Sequence, residues 1–297
     1  MPKFGLCQNS IYLRQIQLQG WKQNKISEQR ALILGMGGLG CTIAMDLSRL
    51  GFAELHVVDN NIVETHSLNR ECLYTTEDIK KQKPAAATGE LFRTHAVQTV
   101  IFPHYVNAQR RWDKICHLID VSTVVFQCID YGDYFDAAIS SYCLKKQIPI
   151  IIGGTEPTHG HMMKIFFQDP QKACYLCCHD LADQEILSQI HPNIVRTYKD
   201  ISFLPKDSKP TGGSTIYTSG ICSHLMVNTF IQYLNDPDSP MPTVTLFNLL
   251  TLELDKWTIP PSPACMFCTE LEYINLDKNE IELTDCEEDT VVFSQNE

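Results

Sequence analysis

Residues 31–41 read Ala31-Leu32-Ile33-Leu34-Gly35-Met36-Gly37-Gly38-Leu39-Gly40-Cys41, an apolar run leading into a glycine-rich turn. The apolar run has the composition of a short buried strand. From Cys41 to Leu50 the spacing predicts a helix, with Ile43, Leu47 and Leu50 on one face. Strand, turn and helix in that order form a phosphate cradle. Glycines let the backbone approach phosphate, and the helix N-terminus supplies free N–H groups and a favourable dipole. A second strand, Leu55 to Val58, ends in Asp59, about twenty residues on, where an acid can bind a ribose hydroxyl. A nucleotide site follows. The turn alone does not decide between hydride transfer and adenylyl transfer.

Outward from this unit, strand-like and helix-like segments alternate as a doubly wound sheet requires. A polar loop reaches Asn69-Arg70, a helix is predicted near Lys83 to Arg93, and a strand over Thr99 to Phe102. Then come a helix over Ala108–Leu118, a strand over Val121–Phe126 ending at Cys128-Ile129-Asp130, a helix over Asp133–Lys145 and a strand over Pro149–Ile152 stopped by Gly153-Gly154. His161 to Phe167 reads as a strand, Ser219 to Leu234 as a helix, and Thr243–Leu249 with Leu252–Thr258 as a hairpin. The expected fold class is therefore α/β: a Rossmann-like, doubly wound, largely parallel sheet extended by antiparallel strands.

Composition narrows the setting. At 297 residues with 44% hydrophobic content, the chain can fill a large α/β core. A net charge of −11 argues against nucleic-acid and anionic-membrane partners, since both select a basic footprint. Thirteen cysteines could mean a secreted disulfide scaffold, but the odd count, the chain length and the N-terminus Met1-Pro2-Lys3-Phe4-Gly5 speak against it. No apolar run approaches the length of a membrane span. The expectation is a reduced, cytoplasmic enzyme.

Two Cys-x-x-Cys pairs, Cys174-Tyr175-Leu176-Cys177 and Cys265-Met266-Phe267-Cys268, are the second strong signal. Paired thiolates at this spacing grip two corners of a tetrahedral zinc, and two pairs close a four-sulfur structural site. The alternative is two unrelated redox or core pairs. No histidine or carboxylate is spaced to make the site catalytic.

Taken in order, Tyr12-x-Arg14-Gln15-Ile16, Gly35-x-Gly37-Gly38-x-Gly40, Asp59, Leu68-Asn69-Arg70, Lys83, Cys128-Ile129-Asp130 and Gly153-Gly154-Thr155 resemble the MoeB/ThiF adenylyltransferases and the adenylation domains of ubiquitin-activating (E1) enzymes. The cysteine pairs match that family's zinc site, and the resemblance covers residues 10 to 270. It implies an N-terminal helical arm over 1–30, an adenylation domain over 31–270 and a short acidic tail over 271–297. It also implies activation by MgATP of the C-terminal Gly-Gly carboxylate of a ubiquitin-like or sulfur-carrier protein, giving an acyl-adenylate and pyrophosphate. Arg70 and Lys83 would hold the triphosphate, Asp130 magnesium and Asp59 the ribose hydroxyls, Asn69 would also bind the cofactor, and the Gly37-Gly38 backbone would lie against the nucleotide. Arg14 would reach the site of a second copy in a homodimer. Zinc at Cys174, Cys177, Cys265 and Cys268 would be structural. Taken singly, Arg70 and Lys83 read more often as solvated surface charges, Asp59 and Asp130 as helix caps, and Arg14 as a surface residue.

Departures from the family pattern are Asn61 where an aspartate is usual, Ser67 where an asparagine is usual, and Tyr134-Phe135-Asp136 where an arginine is usual. Thioester-forming members carry a cysteine in a crossover loop, yet no cysteine lies between His179 and Ile221. Cys178 and Cys222 are the nearest thiols, and core packing is the competing reading for Cys222. Other functions consistent with the sequence are a microcin-maturation-like peptide adenylating enzyme, a non-catalytic partner subunit of an activating enzyme, and an NAD-dependent oxidoreductase. The last explains neither Arg70 and Lys83 nor the paired cysteines.

Overall fold

A computed structural model describes residues 11–94, 98–155, 162–179, 214–263, 265–270, 273 and 276. Eight strands form one sheet in the order β3-β2-β1-β4-β5-β6-β7-β8: β1 (Arg30–Leu34), β2 (Glu54–Asp59), β3 (Val100–Tyr105), β4 (Val124–Gln127), β5 (Ile150–Thr155), β6 (Met162–Gln168), β7 (Val244–Asn248) and β8 (Glu253–Trp257). The first five pair in parallel. Beyond β5 the pairing is antiparallel, ending in the β7–β8 hairpin. Strand order reverses between β1 and β4, and the crevice at the carboxyl ends of such a pair is where open α/β sheets bind ligands.

Seven helices lie among the described residues: α1 (Gln23–Ile26), α2 (Gly38–Leu50), α3 (Lys83–Thr94), α4 (Trp112–Asp120), α5 (Asp133–Lys145), α6 (Ile216–Asn235) and α7 (Met266–Thr269). Alternation along β1 sorts them into two layers, because successive strand side chains face opposite ways. Ala31 and Ile33 pack with Ile43 and Leu47 of α2, Leu91 of α3 and Phe230 of α6. Leu32 and Leu34 pack with Trp112 and Ile115 of α4 and Phe135 and Ile139 of α5. Both faces of the parallel strands are covered, which accounts for their unbroken apolar runs.

Several boundaries differ from the sequence expectation for local reasons. The helix expected from Ala108 begins only at Trp112, because Asn107 Oδ1 accepts from the N–H groups of Gln109 (3.1 Å) and Arg110 (3.1 Å), closing a side-chain turn first. The late helix starts at Ile216, since Thr215 and Thr218 form a reciprocal capping box there. The helical arm expected over 1–30 is not a continuous helix where it is described: Ile11 is helical, 12–20 is a chain of turns, and Gln23–Ile26 is a separate short helix. This segment is also not detached. Tyr12 and Ile26 are buried, and Gly51, at φ +88°, leaves room for the Tyr12 ring, whose hydroxyl lies 2.3 Å from where a Cβ would stand. At the other end, Tyr273 meets Tyr142 edge-on at 5.1 Å and Leu276 is buried, so the sheet domain keeps chain past 270 against its core. Residues 1–10 and 277–297 lie outside the described residues.

Candidate nucleotide site and cysteine cluster

The glycine turn closes tightly on itself. Gly35 adopts φ +94°, and a Cβ there would stand 2.9 Å from the Cys128 carbonyl. A Cβ on Gly40 would stand 1.8 Å from the Gly35 oxygen, so both positions require glycine. Gly37, the N-cap of α2, faces open space, whereas a Cβ on Gly38 would meet Ser219 Oγ at 2.8 Å. The first turn of α6 therefore stands beside the turn, with Ser219 in contact with Ser214 (2.8 Å) and Ser223 donating to the Leu39 carbonyl (3.0 Å). Two helix N-termini converge here. The contribution of α6 was invisible in sequence, because about 180 residues separate it from the turn.

Asp59 ends β2 buried beneath the turn. Its Oδ2 accepts from the Met36 N–H (2.8 Å) and its Oδ1 from the Asn61 N–H (2.8 Å). Each oxygen keeps a second lone pair for a ligand hydroxyl. The other side of the Met36 peptide is tied as well: the buried Tyr74 hydroxyl lies 2.9 Å from the Met36 carbonyl and 3.3 Å from the Lys83 carbonyl. Burial drives the Tyr74 phenol well above its ordinary range, so it stays a proton donor to these carbonyls. The Lys83 N–H donates to the Asn61 carbonyl (3.0 Å). Asn61 thus acts through its backbone, while its side chain is exposed.

Lys83 is not a surface charge. It is 8% exposed, and its Nζ donates to Glu71 Oε1 at 3.0 Å. Arg70 Nη2 stands 3.8 Å from the same oxygen, and Nη1 donates to the His66 carbonyl (2.8 Å) and to Asn69 Oδ1 (3.2 Å). Asn69 therefore orients Arg70. Ser67 is wholly buried and forms a capping box with Glu64, a local structural task. The sequence reading missed Glu71; the only signal was an acid directly following Arg70.

Asp130 is exposed, just past the carboxyl end of β4. Its loop is braced by the buried Gln127, which donates to the Ile129 carbonyl (2.8 Å) and Asp136 Oδ1 (2.8 Å) and accepts from the Ile129 N–H (3.2 Å). Tyr131 links the same loop to Asn60 (3.3 Å), beside Asp59. Arg14 is not brought to this site within the chain. It is exposed in a segment whose Gln15 donates to the Arg49 carbonyl at the far end of α2. That end is about 20 Å from the glycine turn at 1.5 Å per residue.

Of the candidate thiols, Cys222 is fully buried on α6, with Sγ 3.8 Å from the Gly154 carbonyl, and burial pushes its pKa up to about 12. It is a core residue, as the packing reading held. Cys178 is half-buried beside the cysteine cluster. Residues 180–213, most of the cysteine-free stretch from His179 to Ile221, lie outside the described residues.

The two Cys-x-x-Cys pairs do meet. Cys174 lies 3.7 Å from Cys177 and 3.6 Å from Cys265, and Cys177 lies 3.6 Å from Cys268; all four sulfurs fall within 4.8 Å of one another. Four thiolates about 2.3 Å from a tetrahedral zinc stand about 3.8 Å apart, so the spacing fits that ion. The cluster is tied to the sheet: Ser140 Oγ donates to Gln168 Oε1 (2.6 Å) and accepts from the Tyr175 N–H (3.0 Å), all buried.

The ThiF family model matches residues 8–267. The chain belongs to the ThiF family. It is 26% identical over 187 residues to the molybdopterin-synthase adenylyltransferase of Salmonella typhimurium, a match covering 62% of this chain and 73% of that protein. It is 28% identical over 142 residues to the NEDD8-activating enzyme E1 catalytic subunit of Arabidopsis thaliana, covering 44% of this chain and 31% of that one. These relatives place the ThiF-family chain among the E1-like adenylyltransferases. The crystal structure of Escherichia coli MccB with ATP superposes with a TM-score of 0.64 at 19% identity, over 83% of this chain and 68% of that one, a likeness of fold. Among the described residues no helix is long and apolar enough to cross a membrane.

Proposed function

We propose that this ThiF-family chain adenylates the C-terminal carboxylate of a ubiquitin-like or sulfur-carrier protein with a Gly-Gly terminus. The observation that carries this reading is the Met36 peptide. Its N–H binds Asp59 and its carbonyl accepts from Tyr74, whose hydroxyl also reaches the Lys83 backbone carbonyl, so one glycine turn connects Asp59 to the start of the helix that carries Lys83. The oxidoreductase reading leaves the buried Lys83 and the paired cysteines without a role. The names of two relatives, one acting on molybdopterin synthase and one activating NEDD8, agree with a protein substrate.

In this reading ATP lies across the turn, with its phosphates on the Gly37-Gly38 backbone and the α2 N-terminus. Asp59 takes the ribose hydroxyls, and Asn69 holds Arg70 toward the triphosphate. Arg70 and Lys83 offset charge on the phosphates while a carboxylate oxygen of the carrier attacks the α-phosphorus. The bond to the pyrophosphate oxygen breaks, pyrophosphate leaves with the electron pair, and acyl-AMP remains. Asp130 would hold magnesium, which would supply positive charge to offset that of the triphosphate. Arg14 serves the site of a second copy in a homodimer, because its own segment is fixed at the far end of α2. The four cysteines hold one structural zinc, and thiols in this number suit the reducing cytoplasm. Retention of Arg70, Lys83 and Asp130 speaks against a non-catalytic partner subunit.

Radiolabelled pyrophosphate exchange into ATP, with and without Gly-Gly carriers, tests the proposal. Exchange that depends on the carrier and on its terminal carboxylate is expected. ATP binding with no exchange for any Gly-Gly carrier would refute this substrate class.

A further inference from the structure

Glu71 belongs to no motif read from the sequence, yet it sits where the proposed triphosphate cations meet. Its residue is 2% exposed, its Oε1 accepts from Lys83 Nζ at 3.0 Å, and Arg70 Nη2 stands 3.8 Å from the same atom. Its Oε2 is equally buried and has no hydrogen-bond partner. The carboxylate is fixed from both sides. Its own N–H donates to the Ser67 carbonyl (2.9 Å), and Lys83 is held by its N–H to Asn61 and its carbonyl to Tyr74. A stable interior would satisfy both carboxylate oxygens. Here one is left bare, and the other is shared by two cations that an incoming polyanion also needs.

We propose that Glu71 is a positioning residue whose carboxylate competes with nucleotide phosphate for Lys83 and Arg70, and so sets the affinity of the site by phosphate charge. This rests on the reading of Lys83 and Arg70 as triphosphate-binding residues. Without nucleotide, Glu71 neutralises and aims Lys83, which would otherwise be an uncompensated buried ammonium. When a triphosphate arrives, the ammonium shifts its hydrogen bond toward a phosphate oxygen and the carboxylate remains behind it. That residual repulsion lowers ground-state affinity in proportion to the negative charge bound. Adenosine should feel none of it, AMP little and ATP most.

Calorimetric titration of the full chain with ATP, AMP and adenosine, before and after Glu71→Gln, reads this directly. The amide keeps an acceptor for Lys83 and removes the charge. The Kd for ATP should fall about tenfold, the size expected of one nearby unit charge in partly solvated protein. The Kd for AMP should fall less, and that for adenosine should stay put. Unchanged or weaker ATP binding overturns the proposal, and so does an equal shift for all three ligands, which would mark a merely structural role. Should Glu71→Gln fail to fold, Lys83→Met serves as the background, where Glu71 faces the phosphates with only Arg70 beside it. Adding Glu71→Gln there must tighten ATP binding, and no change overturns the proposal. Failure of the function reading looks different: an unaltered chain that binds no ATP refutes both, while one that binds ATP without exchange leaves the Glu71 test fully readable.

Discussion

At the carboxyl edge of the parallel strands, Asp59, Lys83 and Asp130 come from three separate segments: hydrogen bonds to backbone place Asp59 and Lys83, and the Gln127 side chain braces the loop that carries Asp130. On the α5 side of the sheet, Cys174, Cys177, Cys265 and Cys268 come from two segments and meet at 3.6–3.7 Å, spacings that suit a shared ion. The first region follows from the fold itself. A reversal of strand order opens a crevice, and every doubly wound sheet has one. The second region joins stretches 91 residues apart and closes the end of the sheet domain onto its middle. The first region should govern chemistry, with stability touched only where its charges are buried, and the second should govern stability and leave chemistry largely alone.

The sharpest way to break that contrast is to alter Asp130, which is exposed and carries no packing. Asp130→Ala should reduce carrier-dependent pyrophosphate exchange about a hundredfold or more, in keeping with the loss of one preorganised electrostatic contact, while leaving the melting temperature unchanged. Lys83→Ala should reduce exchange as strongly but also destabilise by about 3–5 kcal/mol, because it strands the Glu71 carboxylate in the interior. Denaturant unfolding beside exchange assays separates the two variants. Equal stability in both would mean that the Lys83–Glu71 pair is not held in solution, and full exchange in both would remove the site assignment.

The cysteine region should respond the other way. One zinc per chain is expected by elemental analysis, and Cys174→Ser or Cys265→Ser should each empty the site, since ligand loss from either pair opens the tetrahedron. The melting temperature should fall on the order of 10 °C, because metal binding free energy is folding free energy here. ATP affinity should change far less. A chain that keeps full zinc after either substitution would show that the four sulfurs do not share one ion.

Much of this was legible in sequence, and for unequal reasons. The glycine turn, the parallel strands and the hairpin announced themselves because local pattern and tertiary role agree: Gly35 and Gly40 are glycines because a side chain would collide. The cysteine pairs were legible because two Cys-x-x-Cys spacings each bring two sulfurs to one side of a turn, and the fold brings the two pairs within 4.8 Å. Glu71 was not, because an acid beside an arginine reads as a solvated pair, and only burial by distant segments makes it a counter-ion. Ser219 was hidden for the same reason, since nothing local says that the α6 N-terminus will meet Gly38. The helical arm over 1–30 came from the family resemblance and not from a local pattern, and over 12–20 the chain turns with Leu13, Ile16 and Leu18 exposed, so no apolar face is there to hold a helix against the core.

The smallest expected effect concerns Cys222. A thiol that carries an acyl group must be exposed and must ionise readily. Cys222 is neither: it is sealed between α6 and the Gly153-Gly154 backbone, and burial pushes its pKa up to about 12, leaving almost no thiolate at neutral pH. Cys222→Ala removes one sulfur from a packed layer that also holds Met226, whose Sδ lies 2.3 Å from where a Gly153 side chain would begin. The cost should be about 1 kcal/mol, within the range for small truncations in a core. Exchange should be unaltered, and a non-reducing gel of enzyme, MgATP and carrier should look the same with and without the substitution. The acyl-adenylate is already activated, so an external amine, thiol or persulfide can attack it without a covalent enzyme intermediate. A thiol-sensitive adduct that vanishes in Cys222→Ala would require the α6 layer to open during the reaction. It would also bring the two regions under one rule, with chemistry and packing resting on the same residue.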